Sequence, residues 1–162
     1  MIVSFSGHRP NKLGGFKLPN PTYNYIYAKI ENALKELKPE KVISGMALGV
    51  DQWAAVIAAR LDIPFLAAIP FEGQELAWPA ESQKAFNILR KLAAEEVIVS
   101  PGGYAANKMQ IRNEWMVDHC DMLIAVYNGD KSGGTYNCIS YAKSLNKEIY
   151  LIDPTKMTPS EI

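Results

Sequence analysis

The chain has 162 residues, with 17 Lys+Arg against 17 Asp+Glu and no net charge. A chain of this length folded as one domain buries about 70% of its unfolded surface, so neither disulfides nor a structural metal is needed to hold it. Balanced charge gives no global field for a polyanion, which disfavours extended nucleic-acid binding and leaves room only for a local basic rim. Cys120 and Cys138 are 18 residues apart, with no CxxC and no paired histidine, and read as buried free thiols in a reducing, intracellular setting. No apolar run approaches the roughly 18 residues of a membrane span, and Met1-Ile2-Val3-Ser4-Phe5-Ser6 carries no basic leader. The expectation is a soluble cytoplasmic protein with no metal, no cofactor and no membrane partner.

In chain order, apolar runs of strand length alternate with helical patterns. Strands are expected at 1–6, 41–44, 64–69, 96–100, 121–127 and 148–152. The first helix is predicted over 21–38, where Ile26, Ile30, Ala33, Leu34 and Leu37 repeat at helical spacing and Pro39 ends it. A second runs from Val50 to Leu61, and its alanines suit tight packing on a sheet. A third, over 79–94, starts at Pro79, where a missing N–H costs nothing. A fourth covers 107–118, with Trp115 and Met116 as core residues. A fifth, over 135–145, carries Tyr136, Ile139, Ala142 and Leu145 at helical spacing.

This alternation predicts an α/β fold: a single-domain, Rossmann-like three-layer sandwich with a mostly parallel sheet flanked by helices on both faces. The segments 8–20 and 70–78 are rich in Gly and Pro and long for connections, as ligand loops often are. Tyr23, Tyr25 and Tyr27 alternate near the first helix start, marking either a homodimer surface or local packing.

In an open parallel sheet every strand-to-helix turn lies at the carboxyl edge, so turns distant in sequence converge there. The first, Ser6-Gly7-His8-Arg9-Pro10, offers Ser6 and Gly7 for close backbone approach and His8 and Arg9 as donors to phosphate. The second, Ser44-Gly45-Met46-Ala47-Leu48-Gly49-Val50-Asp51, resembles phosphate and ribose loops without GxGxxG spacing or a Walker lysine. Asp51 either bonds a ribose hydroxyl or caps its helix. The third, Pro70 to Trp78, places Glu72, Gln74 and the aromatic Phe71 and Trp78 where they could cover a base or pack on one another. The fourth joins Arg112 and Asn113, on the helix before the fifth strand, to Asn128, Gly133, Gly134 and Thr135 after it. A strand that empties into a Gly-rich turn and then a helix builds an anion site from backbone N–H groups, and Thr135 is a candidate helix cap.

Together these motifs resemble the SLOG superfamily, the Rossmann-like group that includes DNA-processing protein A and the LOG (lonely guy) cytokinin-activating hydrolases. The order Ser-Gly-His-Arg-Pro, Ser44 to Asp51, Pro70-Phe71-Glu72 with Trp78, and Arg112-Asn113 through Gly133-Gly134-Thr135 is most similar to the YpsA/YoqJ-like branch of bacteria and their phages. Ser44 to Asp51 resembles the Ser-Gly-x-Ala-x-Gly-x-Asp stretch of DNA-processing protein A, which binds single-stranded DNA. In the LOG hydrolases an Arg before the fifth strand and a Glu in Gly-Gly-x-Gly-Thr-x-x-Glu cut the N-glycosidic bond of a nucleoside monophosphate. Arg112 matches that Arg, whereas the Glu position holds Cys138.

The resemblance implies a pocket for a nucleotide or an ADP-ribose/NAD-like ligand, lined by Ser6, Gly7, His8, Arg9, Ser44, Gly45, Met46, Gly49, Asp51, Glu72, Gln74, Asn113, Asn128, Gly133, Gly134 and Thr135. The missing Glu moves the expectation from catalysis to binding or sensing. A LOG-like N-glycosidase would use Arg112 with Glu72 or Glu114. Single-stranded DNA binding is the lesser alternative.

Overall fold

The computed structural model describes residues 1–15 and 20–157. Strands β1 (Ile2–Gly7), β2 (Lys41–Ser44), β3 (Phe65–Ile69), β4 (Glu95–Ile98), β5 (Met122–Val126) and β6 (Glu148–Ile152) form a sheet in the order β4-β3-β2-β1-β5-β6. Every neighbouring pair is parallel. They alternate with α1 (Pro21–Leu37), α2 (Val50–Arg60), α3 (Ala80–Leu92), α4 (Lys108–Asp118) and α5 (Gly134–Ser144), giving the expected Rossmann-like α/β fold.

β3 and β5 are buried at every position because helices cover both faces, which is why their sequences are apolar runs rather than alternations. On one face Val3, Phe5, Val42, Phe65 and Ile124 pack with Ile26, Ile30 and Leu34 of α1, Ala54 and Ala58 of α2, and Phe86 of α3. On the other, Ile43, Leu66 and Ala68 meet Met116 of α4, and Leu123 and Ala125 meet Val117 with Ile139 and Ala142 of α5. Leu123 and Ile124, one residue apart, thus face opposite layers.

Local chemistry sets the element ends. The side chain of Asn20 accepts from the Tyr23 N–H at the start of α1, and Lys38 in the left-handed region closes it. Pro79 stays extended ahead of α3, so that helix begins at Ala80 and ends at Leu92, inside the expected 79–94. β4 ends at Ile98, two residues before the expected 100. The long connection over 70–78 contains a short 3-10 turn, Gln74–Ala77, and the one over 8–20 contains another at Pro10–Lys12. Residues 16–19 of the latter lie outside the described residues.

Tyr25 is buried, Tyr23 packs edge-on against Trp53, and the Tyr27 hydroxyl accepts from Arg60, so the three tyrosines are engaged with their own chain. Trp115, expected in the core beside Met116, is only half-buried and stacks on His119, while Met116 is buried. Among the described residues no helix is long and apolar enough to cross a membrane.

Successive strands move from β1 toward β4 on one side and from β5 to β6 on the other, so the strand order reverses between β1 and β5. Crevices in such sheets open at that reversal, beyond the carboxyl ends of the strands. The close approach that shapes this edge is Gly7 against α2: a Cβ on Gly7 would lie 2.5–2.8 Å from the side-chain atoms of Val50. Gly7→Ala should therefore cost about 1–3 kcal/mol through overpacking, read as a lower urea midpoint at unchanged slope. An unaltered midpoint would show that α2 moves away freely.

Candidate functional site

A cleft of about 340 Å³ opens at the reversal between β1 and β5. Phe5, Ser6, Gly7, His8, Arg9, Asn11 and Lys12 line one wall, Asp51 comes from α2, Met109, Arg112 and Asn113 come from α4, and Ser132, Gly133, Gly134 and Thr135 form the entry to α5. Gly133 has φ 87, a backbone that side-chain-bearing residues rarely adopt, and precedes the first helical residue. The first N–H groups of α5, which have no intrahelical acceptor, therefore lie in the cleft wall.

Arg112 is 2% exposed. Its Nη1 donates to the carbonyls of Gly45 at 2.5 Å and Ala68 at 3.2 Å, and its Nε donates to Asn113 Oδ1 at 3.0 Å. Nη2 has no hydrogen-bond partner among the described residues, although the side chain lines the cleft. Burial lowers the Arg112 pKa to about 10, and Asp51 opposes that fall, so the guanidinium stays charged at neutral pH. A surface salt bridge, the ordinary role for an arginine on such a helix, is not what this residue makes.

The Ser44-to-Asp51 turn wraps around that charge. A Cβ on Gly45 would sit 2.7 Å from Arg112 Cζ and from Asp51 Oδ2, so only glycine fits between the two ionic groups. Met46 is fully buried with φ 61, a strained conformation for a side-chain-bearing residue. It is held by Ser44 Oγ, which accepts from the Met46 N–H and donates to the Asp51 carbonyl, while Gln52 donates to the Met46 carbonyl. Asp51 accepts from the Ala47 N–H at 3.4 Å rather than capping its helix, and burial raises its pKa against the pull of Arg112 and Arg9. Gln74 Nε2 donates to the Gly45 carbonyl, and its buried Oε1 has no partner among the described residues.

His8 is buried beside Tyr127, and its Nε2 accepts from the Asn128 N–H at 3.2 Å. Burial lowers its pKa, and Lys12 adds to the shift, while Asn128 and Asp130 oppose it. That nitrogen is therefore occupied as an acceptor, where the sequence suggested a donor to phosphate. Lys12 Nζ pairs with Asp130 at 2.8 Å across the mouth, tying the first turn to the fourth. Asp130 in turn accepts from the Ser132 N–H and hydroxyl.

Of the residues singled out in the sequence, Ser6, Gly7, His8, Arg9, Asp51, Arg112, Asn113, Gly133, Gly134 and Thr135 meet in the cleft wall. Ser44, Gly45, Met46 and Gln74 stand behind it as the cradle of Arg112 and Asp51, Gly49 lies against Pro10 and the His8 carbonyl, and Asn128 bonds His8 at its edge. Thr135 lies buried inside the first turn of α5, whose cap is Gly133. Glu72 is exposed and Glu114 accepts from Gln110; neither lines the cleft. Phe71 packs on Tyr104 and Trp78 on Phe86, so the aromatics of the third turn face the chain itself. Cys138 is buried near Ser6, Asp51 and Arg112, and burial pushes its thiol up to about 11. Sequence reasoning passed over Asn11, Lys12 and Met109. Met109 had a signal, since it shares the i, i+3, i+4 face of α4 with Arg112 and Asn113. No group of three or more potential metal ligands occurs among the described residues.

A parallel sheet with a cleft at its strand reversal, an arginine on the preceding helix and a Gly-Gly entry to the next is the SLOG type of Rossmann-like domain. Residues 3–157 match the family described as the YspA SLOG family, and the chain belongs to it. It is 32% identical over 159 residues to the uncharacterized SPbeta prophage-derived protein YoqJ of Bacillus subtilis, spanning 85% of this chain and 92% of that protein. A UPF0398 protein of Shouchella clausii is 28% identical over 149 residues, spanning 86% and 79% respectively. Among solved structures, DNA processing protein A of Helicobacter pylori, described for its single-stranded DNA binding mode, gives a TM-score of 0.67 at 18% identity over 96% of this chain and 69% of that one. The Streptococcus pneumoniae protein of the same name gives 0.64 at 16% identity, over 92% of this chain and 49% of that one. At these identities the likeness establishes the fold.

Two outcomes follow from this geometry. Removing the guanidinium in Arg112→Met leaves the Gly45 and Ala68 carbonyls without their donor and Asp51 without its nearby cation, and should cost about 3 kcal/mol by urea unfolding. A loss below 1 kcal/mol would show that solvent replaces it. Because the folded-state pKa of His8 is lowered, its contribution is present above pH 6.5 and is lost as pH falls toward the lowered value. Wild type should therefore lose stability relative to His8→Gln between pH 7.5 and pH 5, and parallel pH profiles would contradict a neutral His8.

Proposed function

We propose that the protein binds a nucleotide or nucleotide derivative in the β1/β5 cleft, phosphate toward the N-terminus of α5 and sugar toward Asp51. The observation that carries this reading is Arg112: a fully charged guanidinium, almost wholly buried, with one nitrogen left unpartnered at the wall of a cleft. Burying a cation costs several kcal/mol, so an incomplete partner set at a cleft points to an anionic or polar ligand as the remaining acceptor. Arg9 and Lys12 at the rim and the free N–H groups of α5 add positive potential. Among the described residues Asp51 is the one carboxylate in the lining, and it suits ribose hydroxyls as an acceptor.

The volume lies near the lower end of the roughly 300–1,000 Å³ range of small-molecule sites. It suits one nucleoside phosphate, with the rest of an ADP-ribose- or NAD-like ligand extending over the rim. A LOG-like N-glycosidase is the weaker reading, because Cys138 supplies a protonated thiol where that chemistry uses a carboxylate, and Glu72 and Glu114 are absent from the lining.

Isothermal titration with AMP, ADP, ADP-ribose and NAD should give saturable binding to wild type for at least one of them. Arg9→Ala should weaken it about tenfold through loss of one charge-assisted contact. No heat with any of the four at millimolar concentration overturns the proposal. Release of free base from AMP by the same protein would move the reading to the glycosidase. Binding only to a single-stranded oligonucleotide, falling steeply with salt, would move it to nucleic acid.

A further inference from the structure

At the cleft mouth the rim charge of Lys12 is held in an ion pair with Asp130. Lys12 Nζ lies 2.8 Å from Asp130 Oδ2, and the same ammonium lies 3.7 Å from where a Cβ on Gly133 would stand, directly beside the entry to α5. Lys12 lines the cleft and Asp130 does not. Asp130 is fixed from behind by Ser132, whose N–H and hydroxyl both donate to Oδ1, leaving Oδ2 for Lys12.

We propose that Lys12 is the specificity-determining contact for a phosphomonoester and that Asp130 is its resident counter-ion, displaced by the ligand's phosphate. The proposal rests on the nucleotide-binding reading and adds the chemical class that the site selects: a ligand with a terminal phosphate over its unphosphorylated nucleoside. Each partner of the pair is 37% exposed, a setting in which ion pairs are weak and exchangeable. A phosphate beside Gly133 meets the same ammonium with more charge than a carboxylate, together with the free N–H groups of α5 that Asp130 does not use. The second, independent pointer to a ligand here is Arg112, a side chain only 2% exposed that lines the same cleft and whose Nη2 has no partner among the described residues. Asp130 thus sets a threshold: an uncharged nucleoside gains nothing by separating the pair, and a dianion does.

Asp130→Asn is the informative variant, because the amide oxygen still accepts from Ser132 while the competing charge is gone. AMP and adenosine are titrated into wild type, Asp130→Asn, Lys12→Met and the double variant, each checked for native circular dichroism. AMP affinity should rise about two- to fivefold in Asp130→Asn, with adenosine unchanged. Lys12→Met should weaken AMP about tenfold, and the double variant should match Lys12→Met, because the threshold acts only through the ammonium. AMP binding to wild type with no gain in Asp130→Asn, or an equal gain for adenosine, overturns this inference and leaves the nucleotide reading standing. Absence of binding by AMP, ADP, ADP-ribose and NAD to wild type overturns both.

Discussion

The burial of one guanidinium organises the carboxyl edge of this sheet. Arg112 enters from α4 and ends between the tips of β2 and β3, where Gly45 and Ala68 direct carbonyls at it. Buried cations demand acceptors, and peptide carbonyls at strand ends are available because the ladder no longer uses them. Much of the second turn follows from that demand. Gly45 has no side chain because Arg112 and Asp51 occupy its Cβ direction, Met46 is bent into the left-handed region, and Ser44 ties the bend to α2. Gln74 reaches from the third turn to share the Gly45 carbonyl, so a loop remote from the cleft still bears on its floor.

The electrostatics of the floor are those of offset rather than touching charges. Arg112 and Asp51 influence each other, and each is shifted chiefly by burial, yet their hydrogen bonds go to backbone and to Asn113. Such a pair leaves part of each group facing the cleft. Cys138, lying beneath, stays a neutral thiol, and His8 stays neutral because burial outweighs its neighbours. The field in the cleft is therefore set by few groups with little internal compensation.

The sheet and its helices were readable because each strand is an apolar run and each long helix has an apolar stripe. Ile26, Ile30, Ala33 and Leu34 are buried as their spacing predicts. The strand-to-helix turns were readable from glycine placement, since Gly49 and Gly133 both stand at positive φ before a helix. Less readable was which residues face the cleft and which support them. Ser44 and Gly45 look like phosphate-loop residues in one dimension, yet Gly45 gives its carbonyl to a side chain that arrives from more than sixty positions away, and Ser44 braces the bend that follows. Periodicity and turn chemistry report local geometry, and Arg112 is fixed by a long-range contact that neither encodes. Lys12 was missed for the same reason: its partner Asp130 is 118 residues distant. Glu72 attracted notice by residue type, and type says nothing of direction.

The thiol of Cys138 has a consequence for charge neutrality. Among the described residues three cations line the cleft, Arg9, Lys12 and Arg112, against the single carboxylate of Asp51, which leaves a surplus of two positive charges, or of one while Asp130 sits on Lys12. A carboxylate at position 138 would remove another unit beneath the floor. With sulfur there instead, the phosphate group of about −2 that we propose as guest would bring the cavity to electroneutrality once Asp130 gave way. A carboxylate-floored cleft of the same shape would be overcompensated by that ligand. One uncharged atom thus adjusts the valence of guest that the crevice balances.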